Sequence, residues 1–199
     1  MTANVHDLTF SPTTQAAEGL MRRRWSVAEI ESMVSAGVIL EDERFELIGG
    51  EVVPMSPKGQ RHELLKIALI DYWVPRKHPG LRIAPETTFR LDAHTFLEPD
   101  FLFYRVSDGI ANLRSDTALL AVEIAHSSLG YDLGRKVLLY AIHGIREVWV
   151  IDAVKLETHV HRRPMIGGYA EKFVVPADTL LKADFAPELA VALATLHLV

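Results

Sequence analysis

Residues 118–125 read ALLAVEIA, and the way this octapeptide is continued decides the fold. Glu123 is its one polar residue, and such an apolar run fits a strand covered on both faces rather than one with a solvated side. Ser128 then stands where a helix N-cap belongs. Leu133, Val137, Leu138 and Ala141 recur on one helical face, and Gly144 offers a C-terminal stop. Residues 147–151, EVWVI, form a second apolar strand. Strand, helix and strand make a βαβ crossover, so the two strands are expected to run parallel in one sheet.

Upstream, Ser26 and Glu29 match a capping box, with Val27, Ile30, Met33 and Val34 at helical spacing before Gly37. Residues 45–48 and 51–55 flank Gly49-Gly50, which can supply the positive φ angles of a two-residue hairpin turn. Leu64, Leu65, Ala68, Leu69, Tyr72 and Trp73 give a second helix its buried stripe. Residues 81–92 alternate as one strand, and 101–104 continue strand-like after Pro99. Downstream, 156–161 and 169–174 are expected to form an edge hairpin, and 187–196 a short closing helix. Residues 1–24 are polar and aperiodic and end in Arg22, Arg23 and Arg24, so they are read as a flexible N-terminal arm. Residues 25–199 are read as a single domain of mixed α/β class.

Composition narrows the chemistry. The chain of 199 residues is 49% hydrophobic and 24% charged, enough apolar material for a real core. It has no cysteine, which excludes disulfides, thiolate zinc sites and cysteine nucleophiles. No segment reaches the roughly 18 apolar residues of a membrane helix, and the N-terminal charges follow rather than precede the apolar residues, the wrong order for a secretory signal. A cytoplasmic protein without membrane association is expected. The net charge of −5 argues against nucleic-acid binding through bulk positive charge, although a bound cation would offset clustered carboxylates locally.

Glu123 carries the most information, because burying a carboxylate in an apolar strand costs several kcal/mol unless it is paired or metal-bound. Asp100, beside Pro99 at the start of another apolar strand, is a second carboxylate that the same sheet could bring to one point. Two such groups repel unless a cation lies between them, and Mg2+ or Mn2+ suits hard oxygen ligands. The competing reading has Asp100 turning the chain and Glu123 paired with Arg135. Asp132, Lys136 and Tyr140 share one face of the following helix, where Lys136 could stabilise phosphate charge or simply pair with Asp132 on the surface. Glu46 is a candidate metal or water ligand, and His62 a candidate proton carrier or phosphate contact. His159 and His161 share a strand face, but exposure on an edge strand accounts for them better than a zinc half-site does. Residues 126–128, His-Ser-Ser, lack the G-x-S-x-G setting of a serine nucleophile, and no glycine-rich phosphate loop occurs.

The segments FELIGGEVVPMSPKGQRHE (45–63), EPDFLF (98–103) and LLAVEIAHSSLGYDLGRKVLLYAIHGIREVWVID (119–152) together resemble the Uma-two family of restriction-endonuclease-like proteins, in the PD-(D/E)XK nuclease superfamily. The resemblance spans about residues 25–175 and keeps the motifs in order. It implies a restriction-endonuclease-like core, a mixed central β-sheet flanked by helices. It further implies an endonuclease that hydrolyses phosphodiester bonds with Mg2+ or Mn2+, with Asp100 and Glu123 as metal ligands and DNA as substrate. Pro99-Asp100 matches the PD element and Glu123 the second acid. Two residues later stands Ala125 rather than lysine, and the resemblance transfers that lysine's task to Lys136. Glu46 and His62 also match family positions, while the family's Asp-Gly-Glu turn is here Gly49, Gly50 and Glu51. Two readings stand beside this one: a catalytically inactive nuclease-fold binding or assembly module, and hydrolysis of a phosphodiester other than DNA. A homodimer is expected on the ground that cutting two strands favours paired sites.

Overall fold

Ser26 opens the first element as its sequence requires: its hydroxyl accepts the Glu29 N–H, and the Glu29 carboxylate accepts the Ser26 N–H. The structure, a computed structural model, describes residues 22–198. The N-terminal arm therefore lies outside the described residues except for its last three.

In chain order the elements are α1 (Val27–Ser35), β1 (Phe45–Ile48), β2 (Glu51–Pro54), α2 (Gln60–Trp73), β3 (Leu81–Pro85), β4 (Phe89–Asp92), β5 (Thr95–Leu97), β6 (Phe101–Arg105) and β7 (Ala118–Ala125). Helix α3 (129–142) follows, then β8 (Glu147–Asp152), β9 (Glu157–Met165), β10 (Gly168–Val175), β11 (Leu181–Ala183) and β12 (Ala186–Val191). The chain divides into two compact units, residues 22–56 with 88–98, and residues 57–87 with 99–198.

In the first unit, β2-β1-β5-β4 form an antiparallel sheet. Gly49 and Gly50 take φ of 59° and 88° at the β1–β2 turn, the left-handed pair that such a hairpin demands. Val27 and Ile30 of α1 pack with Leu47 and Phe96 to form this unit's core.

The second unit is built on a mixed six-stranded sheet, ordered β10-β9-β8-β7-β6-β3. The βαβ expectation holds: β7 and β8 pair in parallel, from Ala121 opposite Val148 to Ala125 opposite Asp152. All eight residues of β7 are buried. Val122 and Ile124 join the main core with Phe101, Phe103, Trp149 and the α2 residues Leu65, Leu69 and Trp73. The Trp73 ring stands edge-on to Phe101 and Phe103, while its Nε1–H donates to Leu189 O on β12 at 3.0 Å. Strand side chains alternate between faces, so Glu123, lying between Val122 and Ile124, points to the other side, toward α3.

Several expectations are corrected. The single strand read over 81–92 is two strands in different sheets, broken at Glu86, whose φ of 47° no strand accommodates. The closing helix read over 187–196 is strand β12, paired with β11 and followed by a 3-10 turn at Leu193–Thr195. Ser128 is the N-cap of α3 as expected, but its hydroxyl donates to the Asp132 carboxylate at 2.5 Å instead of accepting a backbone N–H. A π-turn over Asp132–Lys136 interrupts α3, and its buried face carries Asp132, Lys136 and Tyr140, whereas Leu133 and Leu138 are only half-buried. Among the described residues no helix is long and apolar enough to cross a membrane.

His161 departs furthest from expectation. It lies on β9, an inner strand, at 7% exposure, and neither ring nitrogen has a hydrogen-bond partner. Burial, with Lys172 and His159 adding repulsion, pushes its pKa down to about 4. The unfolded chain takes up a proton near pH 6.5 that the folded chain refuses until about 4, so stability present above pH 6.5 falls as pH drops through that window. Thermal melts between pH 7 and 4 should show a loss on the order of 2–3 kcal/mol in the wild type that is absent in His161→Leu.

Candidate active site

Glu123 is 3% exposed in the middle of β7, and both of its oxygens are bonded to α3. Oε2 accepts from Lys136 Nζ at 3.1 Å, and Oε1 accepts the Tyr140 hydroxyl at 2.6 Å. Lys136, itself 5% exposed, lies 3.8 Å from Asp132 Oδ1 and 5.9 Å from the centre of the Tyr131 ring. The i, i+4, i+8 face read from the sequence is thus buried against the strand that precedes it. Lys136 supplies the counter-charge that the competing reading gave to Arg135, whose Nε is buried without a hydrogen-bond partner. A buried ion pair of this kind adds little net stability compared with apolar residues of the same size, so stability alone does not account for its presence.

Asp100 immediately precedes β6. Phe101 pairs with Val122 across the β6–β7 ladder, so Asp100 stands one step beyond the last paired residue, on the side of Glu123. Its Oδ2 accepts the Ile124 N–H at 2.7 Å, which brings the carboxylate onto the peptide unit linking Glu123 to Ile124. Its Oδ1 accepts from Lys58 Nζ at 2.7 Å and meets His62 Nε2 at 2.9 Å. Burial by itself would raise the Asp100 pKa, but the bonds and charges of His62 and Lys58 outweigh it and hold the group at about 2. Asp100 is therefore an anion at neutral pH.

The neighbours of Asp100 close into a ring. Lys58 also pairs with Glu86, Glu86 with Lys66 at 3.0 Å, Lys66 with Glu63 at 2.7 Å, and Glu63 with His62 Nδ1 at 3.2 Å. Burial acts to raise the Glu86 pKa, yet Lys58 and Lys66 bring it down to about 2. Bonds to Lys66 likewise lower that of Glu63. The sequence reading found His62 but missed Lys58, Glu63, Lys66 and Glu86. Lys58 carries a faint signal, four residues before His62 at the mouth of α2. Glu86 carries none, since its placement depends on the left-handed backbone that ends β3.

Asp100 and Glu123 are bonded from different elements, Asp100 by α2 and the loop before it, Glu123 by α3. Every bond named above is made within the second unit. Glu46 belongs to the first, on β1 at 2% exposure, where its Oε1 accepts the Glu98 N–H at 3.1 Å.

Among the described residues no three His, Cys, Asp or Glu side chains stand together closely enough to hold a metal ion by themselves. Two carboxylates nevertheless fit magnesium-like ions, which keep several waters and take one or two carboxylates plus substrate phosphates rather than a full protein cage. Each carboxylate is paired with an ammonium group, Asp100 with Lys58 and Glu123 with Lys136.

The family model Uma2, described as "Putative restriction endonuclease", matches residues 29–194. No curated protein matches the chain. A solved structure from Anabaena variabilis ATCC 29413, described as "a putative nuclease belonging to DUF820", is similar in fold with a TM-score of 0.64. The two are 20% identical, and the match covers 85% of this chain and 95% of that one. With the match running through most of its length, this chain belongs to the Uma2 family.

Proposed function

We propose that this protein is a divalent-metal-dependent endonuclease that hydrolyses phosphodiester bonds in DNA. The observation that carries the reading is the Asp100 carboxylate seated on the Glu123–Ile124 peptide unit, which brings a second anion to the strand that buries Glu123. Asp100 and Glu123 would hold Mg2+ or Mn2+. When bound, such an ion supplies a water of lowered pKa and a positive clamp on the scissile phosphate.

The chain's own residues set the rest. Asp100 stays ionised at neutral pH and so remains a ligand under working conditions. Lys136, bonded to Glu123 from the π-turn, would take the task of the lysine that Ala125 does not provide and stabilise the charge on the phosphate. Tyr140 fixes the orientation of the Glu123 carboxyl. His62, bridging Asp100 and Glu63, has one nitrogen on each carboxylate and can pass a proton along that line.

A reading without catalysis, a silent nucleic-acid-binding or assembly module, is favoured by one observation: both carboxylates already have ammonium partners. The experiment is a cleavage assay on supercoiled plasmid, single-stranded DNA, RNA and a small phosphodiester, in Mg2+, in Mn2+ and in EDTA. Cleavage of plasmid that EDTA abolishes is expected. Cleavage confined to RNA or the small ester would reassign the substrate, and no cleavage of any substrate in either metal would leave the silent module.

A further inference from the structure

The Oδ1 oxygen of Asp100 has little room for a new ligand as it stands. Oδ2 accepts one bond, from the Ile124 N–H, while Oδ1 already carries both Lys58 and His62. A cation that reaches Oδ1 must take the place of one of them. His62 is the harder to move, because its ring is fixed on α2 and its other nitrogen faces Glu63. Lys58 lies in the loop just before Gly59, the N-cap of α2, and reaches Asp100 on a flexible four-carbon stem. Its ammonium already has a second carboxylate, Glu86.

We infer that Lys58 is an internal competitor for the divalent cation, resting on Asp100 in the metal-free protein and withdrawing to Glu86 when the ion binds. This deepens the proposed function and rests on Asp100 being a metal ligand. Three features of the site support it. Lys58 is the same kind of charge that the ion would bring, at 2.7 Å from the oxygen in question. Glu86 is held beside Asp100 by the backbone, its N–H donating to Asp100 O at 3.3 Å from a left-handed conformation with φ of 47°. A non-glycine residue adopts that conformation at a cost, and here the result is to keep a carboxylate within reach of Lys58. Finally, Lys66 shares Glu86 Oε1 with Lys58, which lessens the pull of Glu86 and leaves Lys58 to divide itself between two carboxylates.

Metal affinity is then set by an ammonium outside the ligand set. Removing Lys58 frees Asp100 Oδ1 and removes a like charge from the ion's position. Neutralising Glu86 removes the withdrawal point, so Lys58 stays on Asp100 and opposes the ion more strongly.

The test is calorimetric titration of MnCl2 into metal-free wild type, Lys58→Met, Glu86→Gln, Asp100→Asn and Lys155→Met, the last a control that removes an exposed lysine. Lys58→Met should bind Mn2+ roughly tenfold more tightly than wild type, Glu86→Gln severalfold more weakly, and Lys155→Met within about twofold of wild type. Unchanged or weaker binding by a natively folded Lys58→Met, or equal tightening by Lys155→Met, overturns the inference while the metal site stands. Mn2+ binding that Asp100→Asn does not weaken overturns the metal site and this inference together. Should Lys58→Met fail to fold, Lys58→Gln carries the same comparison.

Discussion

Lys136→Met should destabilise the protein by about 3–5 kcal/mol, because it strips the ammonium from a carboxylate that remains buried. Glu123 is 3% exposed and its Lys136 bond is 3.1 Å long, so little water is at hand to take over the lost interaction. The Tyr140 hydroxyl would remain, but one neutral donor does not balance a buried charge. Urea denaturation monitored by circular dichroism measures the loss. The double variant Glu123→Met with Lys136→Met should recover part of it, since both charges of the pair are removed while Asp132 and the Tyr140 hydroxyl stay buried on α3. A loss below about 1 kcal/mol in the single variant would mean that the pair is solvated in solution and behaves as a surface pair.

Asp100→Asn and Glu123→Gln should each lower the rate of plasmid cleavage by at least ~10^3-fold, measured on protein that circular dichroism shows to be folded, since Glu123→Gln also leaves the buried Lys136 ammonium without its carboxylate. Both replacements are isosteric. Asparagine keeps an oxygen for the Ile124 N–H, and glutamine keeps one for the Tyr140 hydroxyl. What each loses is the negative charge that a hard divalent ion requires. Steady-state kinetics at several Mg2+ concentrations separate the two ways of losing activity. A ligand variant should move the metal dependence to higher concentration as well as reduce the maximal rate. A residual rate within tenfold of wild type in either variant would remove that residue from the catalytic set.

Where the chain's local pattern and its long-range partners agree, the sequence was readable. The Ser26 capping box, the Gly49-Gly50 turn and the apolar runs around α3 each specify their conformation within a few residues, and each appears where expected. The errors have a common origin in contacts distant along the chain. Residues 187–196 carry an apolar spacing that suits helix or strand, and pairing with Leu181–Ala183 decides for strand. The alternation over 81–92 does not record a left-handed residue at Glu86. His161 looks like a surface histidine until the fold shows its strand to be an inner one and its ring buried beside Tyr169.

The site was legible to a similar degree. Glu123 announced itself as a charge in an apolar strand, and the spacing of Asp132, Lys136 and Tyr140 announced a face that the structure turns toward it. The ring formed by Lys58, Glu86, Lys66, Glu63 and His62 around Asp100 left almost no trace, because its members come from a loop, a helix and the end of a strand. Charges of both signs in loops and on helix ends are ordinary surface residues in any sequence reading. Only the folded chain shows that these converge on one carboxylate.

The most direct test of the central claim is an anomalous difference map from crystals of this protein soaked in MnCl2. The account predicts one strong peak within coordination distance of both the Asp100 and Glu123 carboxylates, with Lys58 moved off Asp100. Full Mn2+ occupancy elsewhere in the molecule, with Lys58 and Lys136 still seated on their carboxylates, would contradict it.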